Sequence, residues 1–178
     1  MRQGSIIILL LILCAGASLA NASADSSEGD RLWGQAVDFA KKGDTNFAFM
    51  NFDLLIRTCP GSPRIQAAHF SLGEYYFNEH NYRMATKEFS DFANTHTKDQ
   101  ESLIALAYLY KIAQLQGQKE AAEQCREKIA TSHQTMFIFK DSKSFRYASA
   151  LQHRYELILH IDKINVTIDE KPFVEISY

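Results

Sequence analysis

The chain of 178 residues has almost no net charge: 19 basic side chains against 21 acidic ones leave −2. A nucleic-acid binder needs a surplus of Lys and Arg, so there is no electrostatic case for one. Six His and three Cys are present. They form no His-Glu-x-x-His pattern and no Cys pair at metal spacing, so no metal is expected. His153 and His160 are seven apart, so they would share one face of a helix but point to opposite faces of a strand. There is no Gly-rich phosphate loop, and no cofactor is expected. Cys59 and Cys125 have no His near them in sequence, which argues against a thiol nucleophile. No acid–base pair stands out either, so the chain does not read as an enzyme. Its apolar run Ile6 to Leu13 is too short to span a bilayer.

That run is better explained as targeting. Arg2 supplies a positive end, Ile6 to Leu13 the apolar centre, and Ala15 to Ala24 a stretch of small residues. Ala22-Ser23-Ala24 fits a small-x-small cleavage pattern, with Ser18-Leu19-Ala20 as a second candidate. The expectation is a secretory signal over 1–24 and an exported protein, most readily in a bacterial periplasm. Cys14 raises an alternative, a lipid anchor that would associate the protein with an outer membrane. Leu11 fits the lipidation pattern, but Leu13 is bulky where a small residue belongs. After cleavage Cys59 and Cys125 remain, two repeats apart. They are expected to be unpaired, largely buried thiols.

What is present is a period. Ala67 to Phe92 reads as two amphipathic helices joined by a turn at Glu79-His80-Asn81. Gly73 and Ala85 allow close approach of the two backbones, and Ala85, Phe89 and Phe92 share a face. Shifting by 37 residues finds the pattern twice more. Ala85 aligns with Ala48 and Ala122, Phe89 with Phe52 and Arg126, and Phe92 with Leu55 and Ile129. The turns Lys42-Gly43-Asp44 and Gln116-Gly117-Gln118 align with the central one. A fixed period of this size signals a helical solenoid. The helices are expected over Arg31 to Lys42 (with Asp30 as cap), Asn46 to Thr58, Arg64 to Phe77, Tyr82 to Asn94, Gln100 to Leu115 and Lys119 to Thr131. Asp25 to Gly29 reads as a polar leader, Cys59 to Pro63 as a break, and Thr95 to Asp99 as a polar linker. Arg126 is expected to begin a polar cap on the array.

The pattern resembles the tetratricopeptide repeat family over about 29–133. Repeat two carries Leu72, Gly73, Tyr76, Ala85 and Phe89 at matching positions. Repeat one keeps Phe39, Ala48, Phe52 and Pro60, but has Gln35 and Ala36 where Leu and Gly belong. Repeat three keeps Leu109, Gly117 and Ala122, with Tyr110 and Arg126 as departures. The resemblance implies an α-α superhelix of about three helical hairpins whose first helices line a concave groove. By that register the groove positions are Trp33, Val37, Lys41, Phe70, Glu74, Phe77, Asn78, Lys111 and Gln114. They would suit a protein or peptide partner. The other reading of Trp33 and Phe70 is packing against a neighbouring repeat or against the segment that follows. The Lys and Asn clamp that grips a peptide carboxylate in one subfamily is absent: Trp33, Val37, Phe70 and Glu74 stand there.

From about 134 to 178 the character changes to β. Thr135 to Lys140 is rich in strand formers. Phe145 to Ile161 alternates with the strand period, but Lys143 to Gln152 fits a helix as well. Ile164, Val166 and Ile168 alternate, Asp169 to Pro172 turns, and Phe173 to Tyr178 pairs back as a hairpin. A lone hairpin is marginal in water, so this one must pack on the helices, on further strands or on a partner. Asn21 and Asn165 begin glycosylation sequons. The chain is thus expected to be mainly α with a small C-terminal hairpin or antiparallel sheet. The expected function is a non-enzymatic protein-binding scaffold of the cell envelope, with no nucleic acid and no cofactor. The alternatives are a self-assembling module that forms a homo-oligomer and a lipid-anchored outer-membrane assembly component.

Overall fold

The computed structural model describes residues 27–95, 100–134 and 142–178. The expectations for the signal segment, for Cys14 and Asn21, for 96–99 and for the apolar run of Met136, Phe137, Ile138 and Phe139 lie outside the described residues. Those described form six helices followed by a four-stranded antiparallel sheet. The helices are α1 (27–41), α2 (Thr45–Thr58), α3 (Ile65–Asn78), α4 (Tyr82–Thr95), α5 (Gln100–Leu115) and α6 (Lys119–Gln134). They pack in consecutive pairs, as the period predicts. The helix edges differ slightly from expectation. Asp30 lies inside α1 and pairs with Arg64 Nε at 3.0 Å, so it is not the cap.

The repeat is visible in the backbone hydrogen bonds. Each hairpin turns through one residue with positive φ: Gly43 at 78°, His80 at 58° and Gly117 at 68°. These positions recur every 37 residues, and each sits where a helix ends in a left-handed cap. The amides of Asp44, Asn81 and Gln118 reach back to the carbonyls of Phe39, Tyr76 and Ala113 at 2.8–2.9 Å. Each following helix then starts alike, with Ala48, Ala85 and Ala122 donating to the carbonyls of Asp44, Asn81 and Gln118. Asp44 and Asn81 also cap by side chain, accepting from the amides of Phe47 and Met84. The chain therefore tolerates His80 in a left-handed conformation that its two counterparts meet with Gly.

Between paired helices the aligned positions fill the interior. Ala48, Phe52 and Leu55 are buried in hairpin one, and Ala85, Phe89 and Phe92 in hairpin two. In hairpin three Ile129 is buried, while Arg126 is half-exposed, pairs with Glu123 and lines a depression with Tyr110, Ala113 and Gln114 of α5. Gly73 is where close approach matters most: a Cβ there would meet the Phe89 ring at 2.8 Å. That ring is stacked on Tyr108 at 4.3 Å and has little room to yield. Gly73→Ala is therefore expected to lose about 1–3 kcal/mol of stability from overpacking, against the gain in helix propensity that an exposed site would show. Urea unfolding of the two proteins gives the sign directly.

The C-terminal strands are β1 (Ser142–Ala148), β2 (Arg154–His160), β3 (Lys163–Ile168) and β4 (Lys171–Ser177), in spatial order β1-β2-β3-β4. The ambiguous stretch Lys143 to Gln152 is strand as far as Ala148, followed by a tight turn. The turn expected over Asp169 to Pro172 is confined to Asp169 and Glu170, both with positive φ, and Lys171 and Pro172 already belong to β4. Pro172 sits on edge strand β4, beside a register shift opposite Val166/Thr167, a place where its missing N–H is tolerated. One face of the sheet is apolar. Tyr155, Leu157, Leu159, Ile164, Val166 and Ile176 are buried in one continuous core with Phe70, Phe89, Leu103, Ile104 and Tyr108 of the helices. A second core joins α1, α2 and α3, and Leu151 of the β1–β2 turn is inserted into it.

Candidate functional site

The sheet lies on the helices whose first-helix positions were expected to form an open groove. Phe70 and Glu74 are fully buried beneath it, 0 % and 1 % exposed. Phe70 meets Tyr147 of β1 and Tyr155 of β2 edge-on, at 5.5 and 5.9 Å. Phe77 packs on Tyr108 at 4.9 Å and on Phe173 of β4 at 5.8 Å. Phe70 therefore follows the packing alternative, Glu74 is buried rather than open to a partner, and Phe77 is half-buried against the sheet. The cause is the apolar face of the strands, which must be buried and finds α3 and α5 within the same chain.

The remaining positions fall elsewhere. Trp33 packs on Phe52 at 5.3 Å with the Arg64 guanidinium over its ring. Val37 is half-buried, and Lys41, Asn78 and Gln114 are exposed at the ends of their helices. Lys111 is half-buried on α5.

Under the sheet sits a polar cluster that no local motif announces. Tyr155 donates to Glu74 Oε1 at 2.5 Å, and the Tyr108 and Tyr155 hydroxyls are 2.8 Å apart. Glu74 Oε2 has no hydrogen-bond partner of good geometry among the described residues, although Ser149 stands close to the carboxyl. Burial pushes the Glu74 carboxyl up to about 7, against the opposing pull of Tyr155 and Ser149. The same burial raises the Tyr108, Tyr147 and Tyr155 phenols. His153 and Asp169 pair at 2.8 Å at the rim, joining the β1–β2 turn to the β3–β4 turn. The bonds of the cluster join α3 and α5 to β2 and so tie the sheet to the helices.

A surface depression of about 500 Å³ lies at the end of β1 and β2, lined by charged residues, among them Arg146, Arg154, Glu156 and Glu170, and by Tyr147 and Tyr155. Its two arginines are already answered, Arg146 by Glu156 at 3.3 Å and Arg154 by Glu170 at 3.8 Å. It therefore offers no unpaired cation to an anionic ligand. Cys59 is buried and Cys125 half-buried, both as free thiols, and burial pushes the Cys125 thiol up, away from nucleophilic character.

What the fold leaves open is the outer side of hairpin one. Phe47, Met50 and Leu54 are 51 %, 58 % and 44 % exposed. Their spacing puts them on one stripe of α2, opposite its buried Ala48, Phe52 and Leu55. Phe39 of α1 stacks on Phe47 at 5.2 Å and extends the stripe. The period analysis missed these residues because the repeat register marks the buried face only. The described residues thus form consecutive helical hairpins with an antiparallel sheet of the same chain sharing their core. No family model matches the chain, and no curated protein matches it.

Proposed function

We propose that this chain is a non-enzymatic, tetratricopeptide-like scaffold of the cell envelope that binds a protein partner. The observation that carries the reading is the stripe of Phe47, Met50 and Leu54, three large apolar side chains left exposed on one helix face. Such a contiguous patch is costly to leave in water and is a common mark of protein contact. The buried tyrosine–carboxylate cluster and the paired charges of the surface depression add no catalytic arrangement to compete with it. Export rests on the N-terminal segment, and no helix of the described residues is long and apolar enough to cross a membrane.

The test is capture by cross-linking from the native envelope, with the exported chain as bait and a Phe47→Ser/Met50→Ser/Leu54→Ser variant beside it. All three positions are exposed, so the variant is expected to keep its fold, checked by urea unfolding. A partner captured by the native chain and lost in the variant is the expected result. Capture that the variant retains would move the contact to the sheet. Recovery of the bait alone, with a dimer or larger species in light scattering, would replace the reading by self-assembly.

A further inference from the structure

We propose that His69, Glu88 and Asp91 form a binding site for a divalent transition metal of the zinc type, which would clip α3 to α4. The hairpin register brings them together. The turn residue His80 lies eleven residues after His69 and eleven before Asp91. Antiparallel helices joined there therefore face each other at these positions. Glu88 and Asp91, three apart, are neighbours on the surface of α4, the first buried and the second exposed.

The donor atoms of all three side chains lie within 4.8 Å of one another. His69 Nδ1 and Glu88 Oε2 are 2.5 Å apart. Around zinc, bonds of about 2.0–2.2 Å in tetrahedral geometry hold neighbouring donors roughly 3.3 Å apart. Small rotations of these side chains would therefore admit an ion. Two of the donors are held in the protein wall, with side chains 5 % exposed at Glu88 and 16 % at His69. Asp91, at 50 %, would close from the solvent side. One imidazole and two carboxylates are a donor set suited to zinc and its borderline neighbours, and three protein ligands leave a fourth position for water.

A cation already answers these carboxylates. Lys87 Nζ lies 3.2 Å from Glu88 Oε1 and 3.1 Å from Asp91 Oδ2. Its side chain is 58 % exposed, and such pairs contribute little, about 0–1 kcal/mol each. A divalent ion held by Glu88 Oε2, the oxygen that faces His69 Nδ1, and by Asp91 would compete with the ammonium for the charge of both carboxylates. Lys87 therefore acts as a competitor, and this distinguishes a metal site from a plain ion-pair cluster.

The experiment is calorimetric titration of zinc chloride into the metal-free, reduced chain, with thermal unfolding in parallel. One saturable site and a raised Tm are expected. His69→Gln and Asp91→Asn should each weaken binding by about tenfold or more, while Lys87→Ala should tighten it. Asp91 is exposed, so Asp91→Asn keeps the test decisive if His69→Gln fails to fold. Absence of saturable binding below about 100 µM zinc would overturn the proposal. So would binding that Asp91→Asn leaves unchanged, which would assign the zinc to other His or Cys residues, or binding that Lys87→Ala weakens.

Discussion

Phe70→Ala is expected to lower stability by about 3–5 kcal/mol, the usual loss for truncating a buried aromatic ring. The ring is 0 % exposed. It is met by Phe89 and Phe92 of α4 at 5.5 and 5.1 Å, by Tyr108 of α5 at 6.4 Å, and by Tyr147 and Tyr155 of the sheet. Edge-to-face pairs of this kind add to the area term by about 0.5–1.5 kcal/mol each. In a chain of this size the loss corresponds to a Tm lower by roughly 10 °C. An open groove would give a different result, since an exposed ring there could be cut back at a cost near 0.5 kcal/mol or less. Phe47→Ala, at a position 51 % exposed, is the matched control, and urea unfolding of the two variants measures the contrast. A loss at Phe70 no larger than at Phe47 would mean that the sheet does not sit on α3 in solution.

The second large effect is a pH dependence carried by Glu74. Its ordinary value is 4.5, and in the folded chain burial raises it to about 7. Between these values the native state holds a proton that the unfolded chain has released. Stability from this group is therefore fully present below 4.5, falls as pH rises, and is gone above about 7. The gap corresponds to about 3 kcal/mol, and full burial means that solvent screening does not reduce it. The phenols that face Glu74 are raised by the same burial and stay neutral through this window. From the rim, the charges of His153 and Asp169 act on the Glu74 carboxyl in opposite senses, the first lowering it and the second raising it.

Glu74→Gln isolates the effect. It keeps an oxygen to accept from Tyr155 and removes the ionisation. The stability difference, native minus variant, is expected to fall by about 3 kcal/mol from about pH 4.5 to about pH 8. A difference that stays flat over this range would show that Glu74 is not held in a dry site beneath the sheet.

The repeat was legible in the sequence because it is local. A helix is closed by bonds four residues apart, and a hairpin turn by one residue with positive φ, so Gly43, His80 and Gly117 recur with the period that set them. The strands from Ile164 onward were legible for the same reason: alternation and the turn signal of Asp169 to Pro172 are short-range, although the turn itself closes within Asp169 and Glu170. Between Lys143 and Gln152 two periods fitted equally well, and only pairing of β1 with β2 along Phe145↔Leu157 and Tyr147↔Tyr155 selects the strand. The His69–Glu88–Asp91 cluster lies between these cases. The hairpin register implies it, but no contiguous motif states it.

By itself the sequence determined the helical hairpins, their spacing, their turns and the existence of a β tail, because each depends on hydrogen bonds and periodicity within a few residues. Only the tertiary structure decided that the tail covers the helices, which turned Phe70 and Glu74 from groove positions into core and left the stripe on α2 outside. Apolar periodicity says that a face will be buried, but not by what. The partner is chosen by contacts between distant residues, as in the bond from Tyr155 to Glu74 across 81 positions of chain.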